Sequence, residues 1–119
     1  MAETEVDFLA VAIGNAHGVY KGKPHLDMGL LKEIRKRVDI PLVLHGGSGL
    51  SEEQFKSAIQ AGISKVNIAT DLLIRAANQV KKNIHSKKES YSDIITALKD
   101  GIREGCEYYL DIFGTSRKA

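Results

Sequence analysis

The spacing of apolar positions changes several times along the chain, and each change marks an element. Val6–Gly14 (VDFLAVAIG) is a near-continuous apolar run ending in glycine, the pattern of a strand buried on both faces of a parallel sheet. A glycine-rich loop over Asn15–Pro24 follows. Then Leu30, Leu31, Ile34 and Val38 recur on one face of a helix from about Asp27 to Val38, with Lys32, Glu33, Arg35 and Lys36 opposite and Asp27 as its expected N-cap. Pro41 opens a second strand, Leu42–Leu44, where proline is tolerated at the first position. His45–Gly49 is a tight loop. Ser51 and Gln54 form a capping box for a helix reaching about Ala61, closed by Gly62. Lys65–Ala69 reads as the third strand. Thr70 or Asp71 is expected to cap a helix to about Ile84 that turns Leu72, Leu73, Ala76, Ala77 and Val80 inward. A polar surface loop, Asn83–Ser90, leads to a long helix over Tyr91–Phe113, expected to bury Ile94, Ile95, Leu98, Ile102, Cys106 and Tyr109. The tail Gly114–Ala119 is polar and expected to fray.

Strands alternating with helices imply an α/β fold with crossovers and a parallel sheet. Three strands alone leave two unpaired edges, and these strands are apolar for edges. Two architectures fit: part of an eight-stranded (β/α) barrel of roughly 250 residues, or a small three-stranded α/β domain. The apolar edges favour the barrel.

Composition narrows the function classes. A chain of 119 residues suits one domain, and 43% hydrophobic with 27% charged residues is ordinary for a globular protein. The longest apolar stretch, Phe8–Ile13, is far short of the roughly 20 residues of a membrane helix. No basic flank precedes it, so a signal peptide is not expected and a cytoplasmic location is. Neither a membrane nor nucleic acid is expected as a partner: the net charge is only +2, and the densest lysine run (Lys81, Lys82, Lys87, Lys88) contains no aromatic residue for base stacking. Cys106, the only cysteine, excludes an internal disulfide and a cysteine-based metal motif; a partly buried structural thiol is expected.

In parallel α/β folds, ligands bind at the C-terminal ends of strands. The polar and glycine residues gather there: Asn15-Ala-His17-Gly18, then His45-Gly46-Gly47-Ser48-Gly49, then Asn67 and Thr70. Neighbouring strands are about 4.8 Å apart, so His17 and His45 could share one ion. Imidazole suits zinc, which in catalytic sites commonly takes three protein ligands and keeps an open position. A single histidine after a strand is more often a hydrogen-bonded structural residue; two in register beside glycines bring the two readings level. His25 and His85 lie in loop and lysine-rich contexts and read as surface residues. The glycines of Gly46–Gly49 free backbone N–H groups to face a phosphate, the next helix N-terminus adds its dipole, and Ser48 can donate a hydroxyl. The turn at Asn67–Thr70 could add further donors.

Taken together, AIGNAHGVYKGKPHLDMGLLKEI and PLVLHGGSGLSEEQFKSAIQAGISKVNIATD resemble the class II, zinc-dependent ketose-bisphosphate aldolases, with the tagatose- and fructose-bisphosphate group nearest. The likeness runs from about Val6 onward and keeps the spacing between blocks. It implies the last three β/α units of a (β/α)8 TIM barrel plus a C-terminal helix, as a single partial barrel domain over residues 1–119. It implies His17 and His45 as ligands of Zn2+. Gly18, Gly46, Gly47, Ser48, Asn67, Ile68, Ala69 and Thr70 match positions that hold dihydroxyacetone phosphate, with Asn67 near the reacting carbons as the catalytic candidate. Members often bind a monovalent cation, Na+ or K+, near the phosphate. Zinc would act as a Lewis acid on the ketose carbonyl. Asn15 departs from the threonine- or valine-type residue expected before Ala-His-Gly. The family's first zinc histidine and its neighbouring aspartate have no counterpart, since no Asp-His pair occurs here. An isolated chain with two of three ligands is therefore expected to be inactive, as a truncation, an excised segment or one part of a split enzyme. Association as a homo-oligomer (dimer or tetramer) or with the missing N-terminal half is implied. A non-catalytic sugar-phosphate-binding fragment is the alternative. A metal-free barrel isomerase is weaker, because it leaves the paired histidines without a role.

Overall fold

The computed structural model describes residues 4–16, 18, 22 and 24–116. It divides into two compact units, Met1–Ile68 and Ala69–Ala119. The first holds β1 (Leu9–Val11), α1 (Met28–Arg37), β2 (Leu42–Leu44), α2 (Glu52–Gln60) and β3 (Ile63–Val66); the second holds α3 (Thr70–His85) and α4 (Tyr91–Ile112). Three parallel strands and four helices confirm the α/β expectation.

The sheet runs β1-β2-β3, all parallel. Leu9, Leu42 and Ile63 form one cross-strand row, Ala10, Val43 and Lys65 the next, and Val11, Leu44 and Val66 the third. The register slips by one residue between Leu42 and Val43, so Ser64 is extra in β3. A bulge of this kind reverses which face the following residues take. Ile63 therefore lies with Leu42 on the core face, while Lys65 lies with Val43 on the other. Leu42, Leu44 and Ile63 are buried together with Leu31 of α1 and Phe55 and Ala58 of α2. Each large apolar side chain so enclosed contributes about 1.5–3 kcal/mol. On the opposite face Ala10 and Lys65 are exposed.

Among the described residues, each outer strand has one unpaired edge. The long first run consequently pairs only over Leu9–Val11, and Phe8 is 56% exposed, not buried on both faces as its sequence suggests. The third strand begins two residues early and ends before Asn67. The helix ends follow the expected chemistry. Asp27 accepts from the Leu30 amide at 2.8 Å, and Arg35 donates to the carbonyls of Val38 and Ile40, both at 3.0 Å, closing α1. The capping box at Ser51 and Gln54 is present.

The second unit is a helical hairpin, and its burial differs from the expected phase. Ala97, Gly101, Gly105, Tyr109 and Ile112 form the buried stripe of α4; Ile95, Ile102 and Cys106 are exposed. In α3 only Ala76 is fully buried, Ala77 is exposed, and Leu73 is 65% exposed. Cys106 is thus exposed, not the partly buried thiol expected. The reason is backbone proximity. A Cβ on Gly101 would lie 2.6 Å from the Ala76 Cα, and one on Gly105 2.6 Å from Leu72 Cδ2. Small residues let the helices approach closely, and the bulky side chains lie outside that seam. Thr70 and Asp71 do not cap α3 either. The N-cap is Ala69, which offers no side-chain acceptor. Asp71 is turned to α4 and α3 instead: its Oδ2 accepts from Tyr109 Oη at 2.9 Å and from Arg75 Nε at 2.6 Å. The Arg75 guanidinium stacks over Tyr108, 4.4 Å from the ring centre. No described helix is long and apolar enough to cross a membrane.

Two outcomes follow for this hairpin. Gly101→Ala forces the new methyl into α3 backbone, and the overpacking cost of about 1–3 kcal/mol outweighs the roughly 1 kcal/mol of helix propensity gained. Thermal melting followed at 222 nm should show a lower midpoint. Burial, then the hydrogen bond to Asp71, pushes the Tyr109 phenol well above its ordinary 10.0. The folded state therefore holds this proton more tightly than the unfolded chain. Tyr109 contributes stability that is complete below pH 10 and is lost above it, by up to about 1.4 kcal/mol per pH unit. Between pH 10 and 12 the wild type should lose stability faster than Tyr109→Phe, which starts lower at neutral pH. Parallel pH profiles for the two chains would contradict this.

Candidate functional site

Each strand of the first unit ends in a polar residue on the same side of the molecule's ladder: Asn15 shortly after β1, His45 directly after β2 and Asn67 directly after β3. The ladder itself aligns the last two. Leu44 pairs with Val66, and the Asn67 amide donates to the Leu44 carbonyl at 3.0 Å. His45 and Asn67 thereby become neighbours, and the side-chain nitrogen Nδ2 of Asn67 lies 2.6 Å from His45 Nε2. Asn67 Oδ1 accepts from the Lys65 ammonium. Asn15 joins the first strand end to the second: its side chain accepts from the Ile13 amide at 2.8 Å and donates to the His45 carbonyl at 2.6 Å.

The loop after His45 is built to turn backbone inward. Gly46 has φ +68° and Gly49 φ +96°, in the left-handed region that glycine occupies without strain. Gly47 and Ser48 are buried, Ser48 at 7% exposure, and the Leu50 amide donates to Gly47 at 3.2 Å. A Cβ on Gly47 would lie 3.0 Å from the Phe55 ring and 3.1 Å from Ile68 Cδ1, so the core beneath holds this loop in place. The dipole argument for α2 weakens, however, because Glu52 and Glu53 occupy its first turn. A phosphate at this loop would be held by the backbone amides of Gly46–Ser48 rather than by α2. Gly18 has φ +81°, and among the described residues nothing lies within 4 Å of where a Cβ would stand. Ile68 is half-buried, and Ala69 and Thr70 begin the second unit, Ala69 exposed and Thr70 half-buried.

His17, the other expected ligand, lies outside the described residues. His25 and His85 are exposed, as expected of surface residues. Among the described residues no group of three or more His, Cys, Asp or Glu side chains could hold a metal ion. His45 is of the right donor type, but one imidazole is short of the three ligands of a catalytic zinc, and its Nε2 faces the Asn67 amide. The described residues alone do not complete a zinc site. Sequence patterns missed Asn15 and Lys65. Lys65 was legible in principle, because it is two residues before Asn67 and so shares its face of the strand. Nothing in the sequence marks Asn15 as a clamp.

Comparison with known proteins follows the same lines. Residues 1–118 match the family described as fructose-bisphosphate aldolase class-II. The chain is 40% identical over 116 residues to the uncharacterized protein YdjI of Escherichia coli (strain K12), a match covering 98% of this chain and 41% of that protein. The crystal structure of the YdjI aldolase from Escherichia coli K12 matches with a TM-score of 0.89 at 39% identity, over 99% of this chain and 44% of that one. That of a candidate fructose-1,6-bisphosphate aldolase from Coccidioides immitis matches with a TM-score of 0.73 at 28% identity, over 98% and 41%. The chain thus spans about two fifths of the length of these relatives.

Asn15→Ala removes two hydrogen bonds that tie the strand ends together. At a net 0.5–1.5 kcal/mol each, the loss should lower the unfolding free energy by about 1–3 kcal/mol, seen as a lower denaturant midpoint. Amide exchange should quicken at Ile13 and around His45. An unchanged midpoint with unchanged exchange would show that the clamp carries no weight.

Proposed function

The chain belongs to the class II fructose-bisphosphate aldolase family, and on that premise we propose that it supplies the phosphate-binding and part of the metal-binding end of an active site for aldol cleavage and condensation of a ketose bisphosphate. The observation that carries this reading is the pairing of His45 with Asn67 at adjacent ends of parallel strands, beside a buried glycine loop. That is where parallel α/β folds place their chemistry.

In this reading the phosphate of dihydroxyacetone phosphate is held by the backbone amides of Gly46 and Gly47 and by Ser48, with Gly18 and the run Ile68, Ala69 and Thr70 completing the contacts. Holding the phosphate fixes the reacting carbons beside the strand ends and supplies binding energy remote from the bond that breaks. Cleavage removes a proton from the C4 hydroxyl and breaks the C3–C4 bond. The bond's electrons pass toward the C2 oxygen, and C3 then takes a proton. The Asn67 carboxamide, its oxygen already engaged by Lys65, offers N–H to the oxygen on which negative charge grows. His17 and His45 would hold Zn2+, which when bound supplies a Lewis acid at the ketose oxygens. The third ligand, with the remaining barrel strands, would come from the part of the family architecture to which this chain has no match. A monovalent cation near the phosphate belongs to the same reading.

The test combines the chain with a polypeptide matching the other three fifths of a relative. Cleavage of fructose or tagatose bisphosphate should appear in the mixture and vanish with a strong chelator. Loss of a residue that merely supports a metal ligand costs about 10–100-fold, so His45→Ala should lower activity by more than about 100-fold. Activity that survives chelation would remove zinc from the reading. Phosphate-ester binding without any cleavage would favour a non-catalytic sugar-phosphate binder.

A further inference from the structure

We propose that Gln54 is a positioning residue that fastens the returning end of the β1–α1 loop to the start of α2, and so fixes how Gly18 and the glycine loop Gly46–Ser48 stand toward one phosphate. The consequence for substrate rests on the reading above; the fastening does not.

Between β1 and α1 the chain leaves the sheet at Asn15 and comes back at Pro24. The two ends meet in a narrow neck. The Asp27 amide donates to the Ile13 carbonyl at 2.8 Å, and a Cβ on Gly14, whose φ is +93°, would lie 2.3 Å from the His25 carbonyl oxygen. A neck of this kind closes the loop but leaves its tilt to be set by other contacts. Two side chains tie it to the β2–α2 connection, one at each end. Asn15 holds the outgoing end, donating to the His45 carbonyl at 2.6 Å. Gln54 holds the returning end. Its Nε2 donates to the Pro24 carbonyl at 2.8 Å, in a partly buried bond.

Gln54 does this while serving as the capping-box residue of α2. Its Oε1 accepts from the Ser51 amide at 2.9 Å, and its own amide donates to Ser51 Oγ at 3.2 Å. A capping box accepts Glu or Gln at this position, because it asks the side chain for an acceptor alone. The bond to Pro24 removes that freedom. A backbone N–H can only donate and a carbonyl can only accept, so the side chain must offer an acceptor at one atom and a donor at the other. A carboxamide does so and a carboxylate does not. Both partners being backbone groups, the orientation of the amide is fixed by them. The glycine loop ahead of α2 is already held from below, with Ser48 and Leu50 buried and Phe55 under Gly47. Through Gln54 that fixed point extends to the loop that carries Gly18. Groups that close on one ligand must keep their separation to within about 0.5 Å. A loop ordered before binding also costs less affinity than one ordered by the ligand.

Gln54→Glu separates the two duties. The carboxylate keeps the acceptor for Ser51 and turns an oxygen, in place of a donor, to Pro24. Gln54→Met, of similar length, loses both bonds. Amide hydrogen exchange of the full chain, followed by NMR, should quicken at Asp27 about 3–10-fold in Gln54→Glu, the equivalent of one net hydrogen bond, with Ser51 and Phe55 unchanged. In Gln54→Met all three should quicken. Asp27 exchange unmoved by Gln54→Glu would overturn the proposal. So would Ser51 quickening in step with Asp27 in that variant, since Gln54 would then act on the loop only through the cap. In the complemented enzyme Gln54→Glu should raise KM about 3–10-fold with kcat within about twofold, because the contacts loosened are those to phosphate and not those to the reacting atoms. Gln54→Met, which adds no charge, should raise KM at least as far. A KM unchanged in both variants, or raised in Gln54→Glu alone, would overturn the positioning role. Failure of the complemented wild type to cleave any ketose bisphosphate would count against the proposed function, and the exchange pattern would still decide the fastening.

Discussion

At 3.0 Å the backbone amide of Asn67 donates to the carbonyl of Leu44, carrying the parallel ladder one residue beyond its last paired position. Everything at the strand ends depends on that bond and on the register behind it. The one-residue slip between Leu42 and Val43 decides which side chains of the third strand join the core and which join His45. Had the strands paired in step, Ile63 and Lys65 would share a face, and either a lysine would enter the core or an isoleucine would leave it. The bulge avoids both outcomes. It buries Ile63 against the helices and places Lys65 and Asn67 beside His45, so stability and chemistry are separated by a single inserted residue.

The glycine loop shows a similar division. Its second glycine is closed from below by Phe55 and Ile68, which leaves the backbone no room to retreat into the core. Its first and last glycines take left-handed torsions that a side chain would resist. The loop is held by packing on one side and by torsion at both ends. Two carboxylates, Glu52 and Glu53, already answer the positive end of α2 beside this loop. The start of α3 is different: its N-cap is alanine, which makes no side-chain cap hydrogen bond, and the one acidic residue of its first turn, Asp71, bonds to Arg75 and Tyr109.

How much of this was legible depended on whether local chemistry or tertiary packing set the outcome. Element order, the parallel sheet, the caps at Asp27 and Ser51 and the glycine stop at Gly62 all rest on short-range rules, and the structure bears them out. The inward faces of α3 and α4 did not follow the bulky apolar positions, because Gly101 and Gly105 permit an approach so close that only small residues fit the seam. Period alone cannot reveal that a glycine, not an isoleucine, marks the contact face. The same limit hid the bulge: no turn signal in Gly-Ile-Ser-Lys announces an extra residue, and only the partner strand's register exposes it. His45 and Asn67 are candidates because strand ends are where ligands gather, and the ladder sets the two side by side. Asn15 stands out in the sequence only as a polar loop residue before Ala-His-Gly; its role, joining backbone groups, is one that no residue spacing records. His17 belongs to the same loop but lies outside the described residues.

The open face of the sheet completes the physical picture. A lysine on a strand between Val43 and a carboxamide is an unusual occupant if that face is to be enclosed, as the inner face of a parallel barrel would be. Desolvating an ammonium is costly unless a strong acceptor stays with it. The Asn67 oxygen is such an acceptor, neutral and already in place. A carboxylate there would pair more strongly with the lysine, yet it would bring negative charge to a site proposed to stabilise negative charge on a substrate oxygen. A carboxamide meets both demands, accepting from Lys65 at one end and donating at the other. Asparagine at position 67, the lysine two residues before it and the bulge before both thus set three polar groups, His45 among them, side by side at the strand ends.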